Sequence, residues 1–136
     1  MRYWLMTWNP RVYTIDEDLR SSGGPTAWLI RRFRHELCEG DRFVLWRSGR
    51  GGIAATGRIT GEAEFRDTPS PDRWEEAPGR AWFVPVAVDS WHDCVIPFKT
   101  LRADKRFDGM AFREMPGAPN PHPLTKTHWD ALMSYL

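Results

Sequence analysis

The spacing of apolar residues predicts several strands in the middle of the chain. Trp82, Val84, Val86 and Val88 occur at every second position, so we expect them to share one face of a long strand. Short apolar or alternating runs predict further strands at residues 3–7, 42–47 and 53–65. The segment 48–52, rich in glycine, then forms a hairpin connection between two of them.

Helix signals lie towards the two ends of this strand-rich region. Thr14 and Glu17 have the spacing of a capping box, which predicts a short helix through about Leu19. Pro97 marks the first turn of a second helix. A third begins at about Thr125, with an apolar face formed by Trp129, Leu132, Met133 and Leu136.

The remaining segments are predicted to be irregular. Residues 28–37 are expected to be irregular to extended at their start, and residues 67–79 and 115–123 to be proline-rich loops. This order of elements favours an α+β fold: a curved, largely antiparallel sheet or small β-barrel with flanking helices.

Length and composition predict one globular domain over residues 1–136. The chain has 41% hydrophobic and 27% charged residues, with no repeat and no linker-like stretch. We find neither a signal-peptide pattern nor an apolar run of membrane-spanning length, which predicts a cytoplasmic protein without membrane contact. Cys38 and Cys94 lack the spacing of a metal site, so we expect two reduced thiols, no metal and no cofactor.

The positive charges are clustered although the net charge is only +1. One cluster contains Arg31, Arg32 and Arg34, and a second contains Arg47 and Arg50. Such runs are often solvated faces, but several of them on a nearly neutral chain indicate a localised basic patch. A third cluster follows at residues 102–106.

No pattern in the sequence requires catalysis. There is no GxSxG nucleophile elbow and no GxxxxGK[ST] phosphate loop. The four histidines are dispersed, without HxxxH or HxE spacing. We therefore expect a binding domain rather than an enzyme.

The chain contains eight tryptophans, more than the core of so small a domain explains. Trp4, Trp82 and Trp129 lie in strong periodic patterns and are predicted to be core residues, as is Trp46. Trp91, at the end of a strand, fits either role. Two others, Trp28 and Trp74, stand beside proline, glycine or charged residues, where core packing and a pocket wall are equally consistent with the sequence.

An ordered series of motifs resembles the EVE domain, a member of the PUA-like superfamily. The series contains YWLMTWNP at residues 3–10, VYTID at 12–16, GDRFVLW at 40–46 and GIAATG at 52–57. It continues through Trp28, the strand from Trp82 to Val88, Pro97-Phe98 and the helix after Leu124-Thr125. The variant TWNP resembles the prokaryotic branch that is often fused to HNH nuclease domains in modification-dependent restriction.

The resemblance implies a PUA-like β-barrel that flips a modified base, such as 5-methylcytosine, 5-hydroxymethylcytosine or N6-methyladenine, into an aromatic pocket. Trp28 matches the cage tryptophan of the related YTH domains, and Asn9 falls where those domains place a base-contacting asparagine. Trp74 is the expected second wall, with Trp8 also in the pocket. Leu29 replaces a residue that is polar in other members, so only its backbone amide is available to bind the base edge.

The partner implied by the resemblance is duplex DNA that carries a modified base. Stacking on aromatic faces returns about 1–3 kcal/mol per base, which offsets the few kcal/mol that extrusion costs. The arginines at 31, 32, 34, 47 and 50 would hold backbone phosphates. Cleavage in a restriction system would require a nuclease domain or subunit.

Three alternatives stay open at the level of the sequence. The first is a PUA-like domain that binds modified RNA. The second is a small hydrolase or nuclease of the ASCH type, although its GxKxxExR-like signature is missing. The third is a pocket for a free nucleobase or nucleoside.

Overall fold

The computed structural model describes all residues, 1–136, as seven strands and four α-helices. The strands are β1 (Tyr3–Trp8), β2 (Ala27–Leu29), β3 (Arg42–Arg47), β4 (Gly52–Ile59), β5 (Glu64–Asp67), β6 (Arg80–Val95) and β7 (His122–Leu124). The helices are α1 (Glu17–Ser21), α2 (Phe98–Ala103), α3 (Ala111–Glu114) and α4 (Lys126–Met133). Short 3₁₀ turns lie at Pro71–Arg73 and Lys105–Phe107.

The strands form one curled sheet in the order β2-β6-β4-β3-β1-β7, with β5 also paired to β6. Strand β6 has 16 residues. Its first part pairs with β2 and β5, and the rest pairs with β4. Two register shifts between β4 and β6 interrupt the ladder, and such bulges bend a strand. The predicted α+β architecture with a curved sheet is confirmed.

One pair of neighbouring strands is parallel, whereas the other pairs are antiparallel. Strands β1 and β3 run parallel, with Tyr3 opposite Arg42 and Trp8 opposite Arg47. A parallel pair needs a long crossover connection, and the chain between the two strands contains α1 and β2. As a result the C-terminal ends of β1 and β3 lie side by side.

The alternation of side chains along β1 and β3 divides the apolar residues between two cores. In β1, Trp4, Met6 and Trp8 belong to the first core, whereas Leu5 belongs to the second. The first core also receives Leu19 of α1 and Trp74 of the loop before β6. The second core contains residues of α2, α3 and α4, so these helices cover the opposite face of the sheet.

The core tryptophans lie where the sequence pattern indicated. Trp4, Trp46 and Trp129 are buried, and Trp82 packs against the first core while half-buried. Trp91 is likewise half-buried against that core.

The helices are all too short or too polar to cross a membrane.

The first helix begins later than the capping-box pattern predicted. The cap is Asp16, whose Oδ1 accepts a hydrogen bond from the backbone N–H of Leu19 at 2.9 Å. The backbone N–H of Thr14, which Glu17 would accept in a capping box, donates instead to the carbonyl of Arg73 at 2.8 Å. The predicted Thr14–Glu17 box is therefore wrong by two residues.

Three further boundaries differ from the prediction. Two of them concern short strands, which form only where a partner strand is available. The predicted strand at residues 53–65 is two strands, since β4 ends at Ile59 and β5 pairs separately with β6. The end of the predicted loop at 115–123 belongs to β7, which pairs with β1. Leu136 was expected on the apolar face of α4, but it lies beyond that helix and is 48% exposed.

Gly52, at the start of β4, is a position that only glycine suits. Its φ is +135°, and a Cβ there would overlap the carbonyl oxygen of Cys94 on β6. We expect Gly52→Ala to lower the free energy of unfolding by about 1–3 kcal/mol, because both the backbone and the strand pairing must shift. Urea denaturation followed by far-UV circular dichroism measures this change.

Gly117 provides the matched control for this substitution. It has an ordinary φ, and a methyl group added at its Cα would have no neighbouring atom within 4 Å. Gly117→Ala should leave stability unchanged or raise it slightly. Equal stability of the two variants would contradict the assigned strain at Gly52.

His122, the first residue of β7, is completely buried. Its ring packs edge-on against Phe112 with centroids 5.1 Å apart, and its Nδ1 lies 3.4 Å from Nη2 of Arg32. Its Nε2 has no hydrogen-bond partner. Burial, and secondarily the charge of Arg32, lower the pKa of His122 from 6.5 to about 4.

This pKa shift predicts a loss of stability in mild acid. Between pH 6.5 and about 4 the unfolded chain binds a proton at His122 that the folded chain does not. The free energy of unfolding should therefore decrease as the pH falls through this window, by up to roughly 3 kcal/mol. His122→Leu should flatten the profile measured by urea denaturation from pH 7 to 4, whereas His35→Leu, at an exposed position, should retain it.

Candidate functional site

The site centres on Tyr13, a buried aromatic residue that lies between two tryptophans. Its ring centroid is 5.3 Å from that of Trp28, at an interplanar angle of 73°. The ring centroid of Trp74 is 5.1 Å from that of Tyr13, at an interplanar angle of 69°. Both contacts are edge-to-face, a favoured geometry for aromatic pairs. Residues far apart in the sequence thus form one aromatic cluster.

A tight turn after β1 brings Tyr13 to this position. The backbone N–H groups of Val12 and Tyr13 both donate to the carbonyl of Asn9, at 2.9 and 3.1 Å. The indole Nε1 of Trp8 donates to the carbonyl of Tyr13 at 2.8 Å. The last side chain of β1 therefore fastens the turn, and the ring of Tyr13 is directed back into the first core.

The loop before β6 brings Trp74 to the opposite side of Tyr13. Backbone hydrogen bonds join Thr14 N–H to the carbonyl of Arg73 and Glu75 N–H to the carbonyl of Val12, at 2.8 and 2.9 Å. Tyr13 and Trp74 form an isolated β-bridge between these two bonds. The loop is thereby paired with the segment after β1.

An ion pair at the edge of this pairing adds to it. Arg73 Nη1 lies 3.2 Å from Oδ1 of Asp16. The backbone N–H of Leu19 chiefly lowers the pKa of Asp16, with desolvation opposing it and Arg73 adding a further lowering. Asp16 therefore stays ionised while it caps α1 and contacts Arg73.

A cavity of about 220 Å³ opens beside Tyr13 and Trp74. It is smaller than the roughly 300 Å³ at which pockets for drug-sized ligands begin, so it suits one small ring system. The other lining residues come from α1, the turn that follows it, β2 and β6, together with the loop before β6: Leu19, Ser22, Gly24, Pro25, Thr26, Ala27, Pro69, Ser70 and Phe83.

Two polar groups in the cavity wall are affected by burial. The Nε1–H of Trp74 is buried and has no hydrogen-bond partner. An unpaired buried donor of this kind costs about 1–3 kcal/mol. Burial also raises the pKa of Tyr13, while the charge of Arg73 opposes this with a smaller lowering. The raised pKa keeps the phenol neutral.

Of the base-binding residues predicted from the sequence, the cavity is lined only by Trp74. Trp28, 7% exposed, packs edge-to-face against Tyr13, whose ring also contacts Trp74. Asn9 is exposed in the turn, where its Oδ1 accepts from Arg11 N–H at 3.0 Å. Leu29 is half-buried in β2.

Trp8 contributes to the site from the core rather than from the cavity. It is 5% exposed, and its N–H is used by the carbonyl of Tyr13. Direct base contacts by Trp8, Asn9, Leu29 and Trp28 therefore stay predictions.

The predicted phosphate-binding arginines lie in two different environments. Arg47 and Arg50 line a narrow crevice together with Trp8. Arg32 donates to the carbonyls of Pro119 and Pro121 at 2.6 and 3.0 Å, so its guanidinium group fastens the loop before β7.

The rest of the first basic cluster lies outside this crevice. The guanidinium of Arg34 stacks over Trp82, 4.3 Å from the ring centroid. Arg31 is exposed. Phosphate contacts by this cluster stay predictions.

Sequence reasoning did not assign Tyr13 to the site. The available signal was its position inside the VYTID motif, as a large aromatic residue flanked by the exposed Val12 and Thr14. A buried aromatic residue in a polar turn needs a partner elsewhere in the chain. The identity of that partner, Trp74, follows only from the pairing of the two loops.

Comparison with known proteins identifies the family and the fold of the chain. The family model described as the EVE domain matches residues 2–135. No curated protein sequence matches the chain. A crystal structure of a Pseudomonas syringae protein has a TM-score of 0.74 at 22% identity, covering 98% of this chain and 99% of that one.

Two other solved structures have the same fold. An NMR structure from Rhodopseudomonas palustris has a TM-score of 0.68 at 22% identity, covering 99% of this chain and 92% of that chain. The human THYN1 protein in complex with 5-methylcytosine-containing DNA has a TM-score of 0.64 at 20% identity, covering 98% and 96%.

At these identities the structural likeness establishes the PUA-like α+β fold. The family assignment comes from the sequence model, which spans nearly the whole chain. The chain belongs to the EVE domain family.

Proposed function

We propose that the protein binds nucleic acid carrying a modified base and holds that base, turned out of a DNA duplex, in the cavity beside Tyr13 and Trp74. The observation that carries this proposal is the cavity wall: the rings of Tyr13 and Trp74 beside the hydroxyl-bearing side chains of Thr26 and Ser70. Such a wall matches a planar heterocycle that has both a π-face and hydrogen-bond acceptors on its edge.

Stacking supplies the first part of the binding energy. Because Tyr13 and Trp74 contact each other edge-to-face, a base cannot slide between their two rings. It stacks instead on the aromatic surface that these residues present to the cavity. This contact returns about 1–3 kcal/mol, comparable with the few kcal/mol that extrusion costs. Trp28 supports Tyr13 from behind without contacting the base.

The edge of the base supplies the second part. Thr26 and Ser70 line the cavity, and their hydroxyl groups can donate to or accept from the polar edge of the base. Apolar lining from Leu19, Pro25 and Ala27 receives a methyl substituent. Burial of one methyl group adds about 0.8 kcal/mol, so the preference for a methylated base over the plain one is modest.

5-Methylcytosine is the first modification to test, because the EVE-like human protein THYN1 has been solved with DNA that contains it. In this proposal the domain binds and does not cleave. A role in restriction, with 5-hydroxymethylcytosine or N6-methyladenine as further targets, would require a separate or fused nuclease.

Substitution of Trp74 tests the cavity directly. We expect Trp74→Ala to weaken binding to a duplex with one central 5-methylcytosine by roughly 5- to 150-fold, since the stacking surface is lost. Trp74→Phe keeps an aromatic face but loses the N–H and the second ring of the indole, so its loss of affinity should be smaller. Fluorescence anisotropy with labelled duplexes that differ only in the methyl group measures both.

Phe65→Ala is the matched control, because Phe65 is a 49% exposed aromatic residue on β5, outside the cavity. It should leave both affinities unchanged. The proposed function would be wrong if wild-type protein did not distinguish the two duplexes, or if folded Trp74→Ala retained full affinity for the modified one. Tighter binding to the matching RNA would favour an RNA target instead.

A substitution at Trp28 tests whether this residue only supports Tyr13 or contacts the base directly as a wall of an aromatic cage. Because Trp28 is buried behind Tyr13, Trp28→Phe should lower the free energy of unfolding by about 1–3 kcal/mol while changing affinity for the modified duplex less than about threefold. Chemical denaturation and anisotropy on the same preparation give both values. An affinity loss as large as that of Trp74→Ala would show that Trp28 itself touches the base.

A further inference from the structure

We propose that the crevice next to the cavity is a phosphate-binding site, formed by Arg20, Arg47 and His92. It would hold a backbone phosphate of the strand whose base enters the cavity. The inference thus rests on the proposed function and adds the group that positions the strand.

The crevice lies where the ends of β1 and β3 meet the 48–52 hairpin and the last part of β6. Its arginines are held against indole faces: the guanidinium of Arg47 is 5.4 Å from the ring centroid of Trp8. The guanidinium of Arg20 is 4.8 Å from the ring of Trp91. Stacking restricts these long side chains before a ligand arrives and leaves their N–H edges available as donors.

The positive charge of the crevice is not neutralised within the protein. No salt bridge involves Arg20 or Arg47. The one carboxylate in the lining, Asp93, pairs with Arg50 at 2.9 Å. Two guanidinium groups therefore remain for an anion, which they bind through charge-assisted hydrogen bonds.

The size of the crevice selects the kind of ligand. It encloses about 20 Å³, close to the volume that one water molecule needs. A base cannot enter such a space, but a single oxygen of a phosphate can, with the rest of the group at the mouth. His92 lines the same space, with its Nε2 3.5 Å from Oγ1 of Thr56.

The crevice and the cavity share one wall. In α1, Leu19 lines the cavity, whereas its neighbour Arg20 lines the crevice. Trp8 lines the crevice and donates its N–H to the carbonyl of Tyr13, which lines the cavity. A nucleotide with its base on one side of this wall and its phosphate on the other would use both spaces.

A titration with inorganic phosphate tests the crevice without DNA. Sodium phosphate, compared with sodium chloride at equal ionic strength and pH, should shift the indole N–H signals of Trp8 and Trp91 in ¹H–¹⁵N spectra. Arg20→Ala and Arg47→Ala should abolish these shifts. Arg66→Ala, which removes an exposed charge from β5, should retain them.

The salt dependence of duplex binding tests the role of the site. In wild-type protein, log K falls linearly with log salt concentration, and each lost phosphate contact reduces the slope by about 1. Arg20→Ala and Arg47→Ala should each reduce the slope by about that amount, and weaken modified and unmodified duplexes alike by roughly tenfold at low salt. Arg66→Ala should leave the slope within experimental error of wild type.

The outcomes separate this inference from the proposed function. Equal shifts of Trp8 and Trp91 with phosphate and chloride, or slopes that change as much in Arg66→Ala, would overturn the phosphate site. Phosphate-specific shifts without any binding of duplex would support an anion site while removing nucleic acid as its ligand. A mononucleotide that binds as tightly as the duplex would assign the site to a free nucleotide and overturn its role on a strand.

Discussion

Strand β1 is the constraint on which the rest of the structure depends, because two of its tryptophans fasten segments that the sheet does not hold. Trp4 and Trp8 point into the first core, four residues apart on the same face. The N–H of Trp4 donates to the buried carboxylate of Asp41 at 3.0 Å. The N–H of Trp8 donates to the carbonyl of Tyr13 at 2.8 Å. Each indole thus adds apolar burial and fixes a turn that leads to the next element.

The two turns have different consequences. Asp41 also accepts the backbone N–H groups of Arg2 and Cys38, at 2.9 and 3.0 Å, so a buried charge is fully bonded and anchors the start of β3. Tyr13, at the other turn, is only partly surrounded by the sheet and needs the loop before β6 to complete its burial. The cavity beside it lies between this loop and the segment that joins α1 to β2.

The site that results has separate places for two chemical groups. The cavity has aromatic and apolar walls with a few hydroxyl groups, and the crevice has two guanidinium groups that no carboxylate neutralises. In the proposed function, contacts to phosphate position the strand and contacts to the base select it. Arg32, one of the five arginines predicted to contact phosphate, donates to the carbonyls of Pro119 and Pro121 and so holds the loop before β7.

Patterns that are local in the sequence predicted local structure well. The alternation at residues 82–88, the helix start at Pro97 and the cap at Thr125 all appear in the structure, because they depend on side-chain period and backbone capping within a few residues. The strands whose bounds were not predicted, β2, β5 and β7, have three or four residues and carry little pattern of their own. They become strands because β6 and β1 offer unpaired backbone groups beside them.

By itself the sequence determined the family and the fold class, since these follow from the ordered motifs and from the period of two in the strands. Only the tertiary structure decided which aromatic residues meet. Tyr13 and Trp74 are joined by backbone hydrogen bonds across some sixty residues of chain, and no spacing rule encodes such a contact. The same holds for Arg20 and Arg47, which line one crevice only because the fold brings α1 beside the ends of β1 and β3.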